Sequence, residues 1–220
     1  MKQALINRLG ILGIVSFLSY FAAVVFSPLA YPGYSWLRQA VSDLSAADAP
    51  SRVLWGQLSC LYGVCALVSL TLACVFVQGR MTRTLRLGVY LFTAMNATSY
   101  VGYGLFPLTS SGYAGTVQDV MHMVVTGLVV GLSIASLVLL VVGGARRREY
   151  EYLAIGAGVA LAFMCAGPLG IGLAPASLFG FFERFSTLSA AAFTLFLGVC
   201  LMMGFEPARA KASENPSAPA

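Results

Sequence analysis

The sequence predicts an all-α polytopic membrane protein, a bundle of six transmembrane helices with a short interfacial helix between the first and second. Three observations predict it. Of the 220 residues, 59% are hydrophobic and only 10% charged, with mean hydropathy +0.84; a soluble domain carries roughly a quarter charged residues. Uncharged runs of about 20 residues, enough to cross a bilayer, recur along the chain. The runs are continuous rather than alternating, so helices and not barrel strands satisfy the backbone in lipid.

The first span covers about 9–30 and is longer than the roughly 7–15 apolar residues of a signal peptide. Its Ser16, Tyr20 and Ser27 share a face. Tyr31, Pro32, Gly33 and Tyr34 then turn the chain. Over about 35–46, Trp36, Leu37, Ala40, Val41 and Leu44 recur at helical spacing, with Ser35, Arg38, Gln39, Ser42 and Asp43 opposite. That pattern predicts a helix lying on the membrane surface. The second span covers about 53–77. The third, about 87–106, carries Thr93, Asn96, Tyr100 and Tyr103 on one stripe, and Phe106-Pro107 closes it.

The fourth span covers about 119–142 and places Asp119, His122, Thr126 and Ser133 on one stripe. The fifth, about 153–174, is glycine-rich and interrupted by Pro168, which predicts a kink or an irregular half. The sixth covers about 183–205. These spans form one domain, residues 1–205; the Ala-, Ser- and Pro-rich stretch 206–220 reads as a disordered tail.

Charge sets the expected orientation. Ten of the thirteen basic residues fall at the N-terminus, in 78–86, in 143–152 and in the tail. The positive-inside rule then places both termini in the cytoplasm of a cell-membrane protein. A net charge of +5 distributed this way reads as membrane topology, not nucleic-acid binding. The five cysteines sit in apolar runs with no C-x-x-C, so redox and zinc signatures are lacking.

The outward side gathers Arg38, Asp43, Asp48, Arg52, Asp119, His122, Glu183 and Arg184. Ionisable groups in spans are expensive and mark function, less so near the interface. His122, Asp119 and Glu183 are the candidates for acid/base chemistry. Arg38, Ser42, Asp43, Asn96, Tyr100, Tyr103 and Arg184 are candidates for ligand binding. Each has a plainer reading: Asp119 as a helix cap, His122 as a bond between helices, Arg38 and Asp43 as the wet face of a surface helix. One histidine excludes a bis-histidine haem and makes a poor zinc site. No phosphate loop and no G-x-S-x-G turn is present. No cofactor is implied.

Four motifs in order carry a resemblance: RQAVSDLSA over Arg38–Ala46, GLFP at the end of the third span, the histidine of the fourth, and GFFER over Gly180–Arg184. Together they resemble the integral membrane family called domain of unknown function 998, and more distantly the DRAM/Frag-type six-span proteins. The resemblance covers most of the chain. It implies a six-span fold and marks Ser42, Asp43, Phe106, Pro107, His122, Glu183 and Arg184 as signature positions. Family members often carry an acidic residue two places after the Phe-Pro, where this chain has Thr109. The resemblance implies no reaction.

The expected partners are membrane lipids and a lipid or small amphiphile in an outward-facing polar cleft. An acid/base enzyme acting on a lipid or terpenoid, a structural or assembly partner, and a transporter are the alternatives. Small residues four apart, such as Gly127 with Gly131, suit close helix contacts within or between subunits.

Overall fold

The computed structural model describes residues 2–205; the tail expected over 206–220 lies outside them. All regular structure among the described residues is helical. Six rods run in chain order: α1 (Ala4–Ala30), α2 (Arg52–Val77), α3 (Arg83–Leu105), α4 (Val117–Ala145), α5 (Arg148–Leu173) and α6 (Ala176–Met202). All except α3 are long and apolar enough to cross a membrane, so the chain is a multi-pass membrane protein. The rod α3 has 23 residues. Its Thr93, Asn96, Thr98, Ser99 and tyrosines make it more polar than the other five.

Each rod packs on the next, α6 closes back on α1, and α2 also meets α6. Backbones approach closely where side chains vanish: a Cβ added at Gly13 of α1 would lie 2.9 Å from the Gly198 Cα of α6. Pro168 sits inside α5 without ending it. Proline lacks an N–H, so the carbonyl four residues back loses its helical donor. That carbonyl, of Met164, accepts from Ser186 Oγ of α6 at 3.1 Å. A second stitch runs from Ser189 Oγ to the Ala160 carbonyl at 2.7 Å.

One apolar cluster fills the bundle from its middle toward the end holding Val77, Arg83 and Ala145. Leu70, Leu85, Leu140, Leu153, Leu197 and Leu201 are fully buried in it. Phe92 of α3 meets Phe193 of α6 edge-on at 4.9 Å. The other end carries the two long connections, 31–51 and 106–116, and is called the capped end below.

The expected interfacial helix is corrected. Residues 35–46 form turns and a single 3-10 turn, Ser42–Ser45. The helical spacing of Trp36, Leu37, Ala40, Val41 and Leu44 is real, but tertiary partners take the backbone groups that a helix needs. Carboxylates of Asp43 and Glu183 accept the N–H of Ala40 and Val41. Tyr34 and Arg184 donate to the carbonyls of Trp36, Gln39 and Ala40. Asp43, expected on a wet face, is only 5% exposed.

Candidate functional site

The polar residues of the capped end fall into two linked groups. In the first, loop 34–43 is wrapped around the start of α6. The Arg184 guanidinium is buried and donates to the carbonyls of Trp36 (2.8 Å), Gln39 (3.1 Å) and Gly180 (2.5 Å), and to Tyr34 Oη (2.6 Å). It also lies 4.7 Å from the centre of the Trp36 ring, within cation–π range. Beside it, Glu183 Oε2 accepts the Val41 N–H at 2.6 Å. Gly180 makes the wrap possible, because any Cβ there would overlap the Gln39 carbonyl. Tyr34 Oη donates to the Ala40 carbonyl at 2.7 Å. Burial pushes the Tyr34 phenol up to about 12, against the lowering influence of Arg184.

The second group knots the α3–α4 connection. Thr116 caps α4: its Oγ1 accepts the Asp119 N–H at 3.2 Å, and Asp119 Oδ2 accepts the Thr116 N–H at 3.1 Å. This reciprocal pair is a capping box. The same carboxylate accepts the Thr109 N–H at 2.8 Å and Thr109 Oγ1 at 2.9 Å. Thr109, two places after Pro107, thus meets the carboxylate of Asp119 in space.

His122 lies one turn deeper, buried, with the Tyr103 ring tilted against it at 4.7 Å. Its Nδ1 is 2.8 Å from the Phe106 carbonyl. A carbonyl can only accept, so Nδ1 carries the proton and Nε2 of the neutral ring holds the lone pair. No hydrogen bond joins Asp119 to His122 among the described residues. The Phe106 backbone, not a carboxylate, orients the ring. Thr126 Oγ1 donates to the His122 carbonyl at 2.9 Å, so Tyr103 Oη is the donor in its 3.1 Å bond to Thr126.

Asp43 and Asp48 tie the two groups together. Asp43 Oδ1 accepts the Gly112 N–H at 3.0 Å, and Asp48 Oδ1 accepts the Ser111 N–H at 3.0 Å. Gly112 has φ of +87°, a conformation that glycine adopts without a steric cost. The Ala47 N–H donates to the Leu108 carbonyl at 2.8 Å, closing the two loops into one cap.

Beneath the cap, the aromatic side chains of the rods converge. Tyr20 of α1 packs on Tyr62 of α2 at 4.6 Å and on Trp55 at 6.0 Å. Tyr20 and Tyr103 both lie within electrostatic reach of Glu183, and Tyr62 within reach of Tyr103. Of these, the sequence offers Tyr103 as a binding candidate and Tyr20 only as a helix-face residue, and it does not single out Tyr62. Nothing in the spacing of one helix reports what stands opposite it in another.

Several candidates stand elsewhere. Arg38 is exposed, with no side-chain hydrogen bond among the described residues. Tyr100 is 48% exposed, and its ring lies over Gly63 of α2. Asn96 is buried but donates to the Phe92 carbonyl of its own helix at 3.0 Å. Ser42 starts the 3-10 turn and is partly buried.

A family model described as Protein of unknown function (DUF998) matches residues 14–211. The chain belongs to this family. No curated protein and no solved structure matches it. The family match runs from within α1 past the end of α6 and includes both loops of the cap, so the knot around Arg184 and Asp119 lies wholly inside the family's span.

Proposed function

We propose that the capped end faces outward and holds the polar end of a lipid or small amphiphile between the rods. The observation that carries this reading is convergence. Five of the six rods send a polar or ionisable group to the space under the cap: Tyr20 (α1), Tyr62 (α2), Tyr103 (α3), His122 (α4) and Glu183 (α6). Tyr62, Tyr103 and Glu183 keep accessible surface although their neighbours lie in other rods, which supports a space between them. Tyrosine hydroxyls, a carboxylate and a lone-pair nitrogen suit a headgroup bearing hydroxyls or an amine.

This reading takes α3 as a sixth crossing. Its 23 residues rise ~34 Å at 1.5 Å each, enough for a bilayer core. Its polar residues face neighbouring rods: Thr93 meets Cys74, and Tyr103 meets Thr126. Orientation follows the positive-inside rule: Arg80, Arg83, Arg86 and Arg146–Arg148 lie at the end opposite the cap, with Ala4 and Met202 on the same side.

The test is mass spectrometry of amphiphiles that co-purify with wild type, His122→Ala and Glu183→Gln. A defined amphiphile, enriched over bulk lipid in wild type and reduced in both variants, is expected. Folded variants that retain it unchanged would show that the site is misplaced.

One observation favours a second reading, acid/base catalysis. The fixed tautomer of His122 leaves Nε2 as an oriented base. That reading predicts a chemically altered amphiphile in wild type and the unaltered one in His122→Ala. Transport draws less support. The polar groups deeper in the rods, Asn96 and Ser133, bond carbonyls of their own helices, and Ser136 bonds the Gly88 carbonyl.

A further inference from the structure

A second feature lies on the lipid-facing side of α6, apart from the space under the cap and independent of the reading above. Glu183 turns inward, whereas Arg184 lines the end of an apolar groove between α5 and α6. The groove has a volume of about 690 Å³. Val159, Ala160 and Phe163 form one wall, and Phe185, Ala192 and Phe196 the other. From Arg184 to Phe196 it spans ~18 Å along the helix at 1.5 Å per residue, and Phe181 lines it one turn beyond Arg184 toward the cap. That is close to the ~15 Å half-thickness of a bilayer core. Gly156 lets the two helices approach at its far end, since a Cβ there would strike the Phe196 ring.

The groove's one charged residue is incompletely satisfied. Arg184 is 8% exposed, and its hydrogen bonds go to three carbonyls and a tyrosine hydroxyl, none to a carboxylate. Its Nε is buried without a partner. The neighbouring carboxylates are engaged elsewhere, Glu183 with the Val41 N–H and Asp43 with Ala40 and Gly112. A buried guanidinium with an unused N–H favours an anionic oxygen, which forms the stronger, charge-assisted hydrogen bond. Arg184 sits five residues into the α6 helix that begins at Phe179, ~7.5 Å below its start, within reach of the headgroup region.

We propose that the α5–α6 groove seats one acyl chain of a phospholipid, with a phosphate oxygen at the guanidinium edge of Arg184. The chain lies lengthwise against Phe163, Phe185 and Phe196. Seating the phosphate turns the guanidinium edge toward the groove and supplies the acceptor that Nε lacks. Because the same guanidinium holds the carbonyls of loop 34–40, the bound lipid bears on the cap as well.

The test leaves Arg184 in place, since its removal would also loosen the cap. Full-length protein in mild detergent is titrated with dioleoyl phosphatidylglycerol, and separately with dioleoylglycerol, which has the same chains and no phosphate. Bound lipid is counted by native mass spectrometry. Wild type is expected to retain one phosphatidylglycerol, about tenfold or more tighter than the diacylglycerol. Ala192→Trp and Val159→Trp fill the groove from opposite walls, at exposed positions, and are expected to lose that lipid. Val124→Trp, exposed on α4, is the control and should keep it. Equal retention of the two lipids by wild type overturns the phosphate contact. Undiminished phosphatidylglycerol on both groove variants overturns the site. Ala192→Trp and Val159→Trp leave every residue under the cap in place, so a loss in both separates this site from the one under the cap.

Discussion

The two ends of the bundle solve the same problem in opposite ways. At the end holding Val77, Arg83 and Ala145, leucines fill the interior and the arginines stand outside: Arg80, Arg83, Arg146 and Arg148 are exposed. At the capped end, Asp43, Asp119 and Arg184 are buried, and each bonds backbone groups of a loop. Apolar packing is non-directional and tolerates adjustment. Charge-to-backbone bonding fixes one loop conformation, and removing a partner leaves buried polar groups unpaired. The capped end should therefore be the brittle end, and the opposite end the tolerant one.

The sharpest break in that comparison is Arg184→Ala. It removes the guanidinium donors to the carbonyls of Trp36, Gln39 and Gly180 and to the Tyr34 hydroxyl. A loss of about 3 kcal/mol or more is expected from several charge-assisted bonds removed together. Arg148→Ala, at an exposed arginine of the other end, should stay within about 0.5 kcal/mol. Thermal unfolding in detergent measures both, and limited proteolysis should cut 31–51 first in the Arg184 variant. Equal stability of the two variants would mean that the wrapped loop contributes nothing.

Next in size is Gly180→Ala. The added methyl overlaps the Gln39 carbonyl, so the loop must move, at about 1–3 kcal/mol. Gly79 at the other end is the counterpart. Its φ is +75° with open space around it, so Gly79→Ala strains only the local backbone, at about 1 kcal/mol. Smaller again is the contrast between caps. Thr116→Ala removes half of a capping box and a loop contact, for about 1 kcal/mol. Thr82→Ala removes a single long cap bond of 3.5 Å at the start of α3, and should cost less. Reversal of either order, read from the same unfolding curves, would undo the distinction between the ends.

The contrast also explains which parts of the structure were legible in the sequence. Hydrophobic run length is a local property, so the rods were readable; at Pro168 the helix runs on from Glu151 to Leu173, and the Ser186 bond that takes the freed Met164 carbonyl was not readable. The gathering of Asp43, Asp119, His122, Glu183 and Arg184 toward one end was readable from topology. Their roles were not. Arg38 to Leu44 has helical spacing, yet Glu183, 142 residues away from Val41, decides that it is a wrapped loop. Tertiary partners override local periodicity where a buried charge competes for the backbone. Tyr100 and Tyr103 share a stripe by spacing. A helix stripe is wide, and one ring lies over Gly63 at the rim while the other packs against His122 inside. The partners of Asp119 were hidden for a different reason. Thr109 and Thr116 belong to an irregular turn, where no period reports which side chain folds back on which.

The smallest effect tests the cap without perturbing its fold at neutral pH. Tyr34 donates to the Ala40 carbonyl and accepts from Arg184, and burial raises its phenol to about 12. An unfolded tyrosine titrates near 10. The folded value is the higher one, so the protonated phenol's contribution is fully present below pH 10 and is lost as pH rises from 10 through 12. The cause is geometric as well as dielectric, because a phenolate has no proton to give Ala40. A difference titration of the phenolate absorbance, wild type minus Tyr34→Phe, isolates this one ring among the ten tyrosines. A midpoint near pH 12 is expected, with the gap in unfolding temperature between wild type and Tyr34→Phe the same at pH 7 and pH 9. A midpoint near pH 10 would mean that solvent reaches Tyr34 freely. The loop would then not be wrapped on Arg184, and the capped end would lose its claim to be built differently from the other.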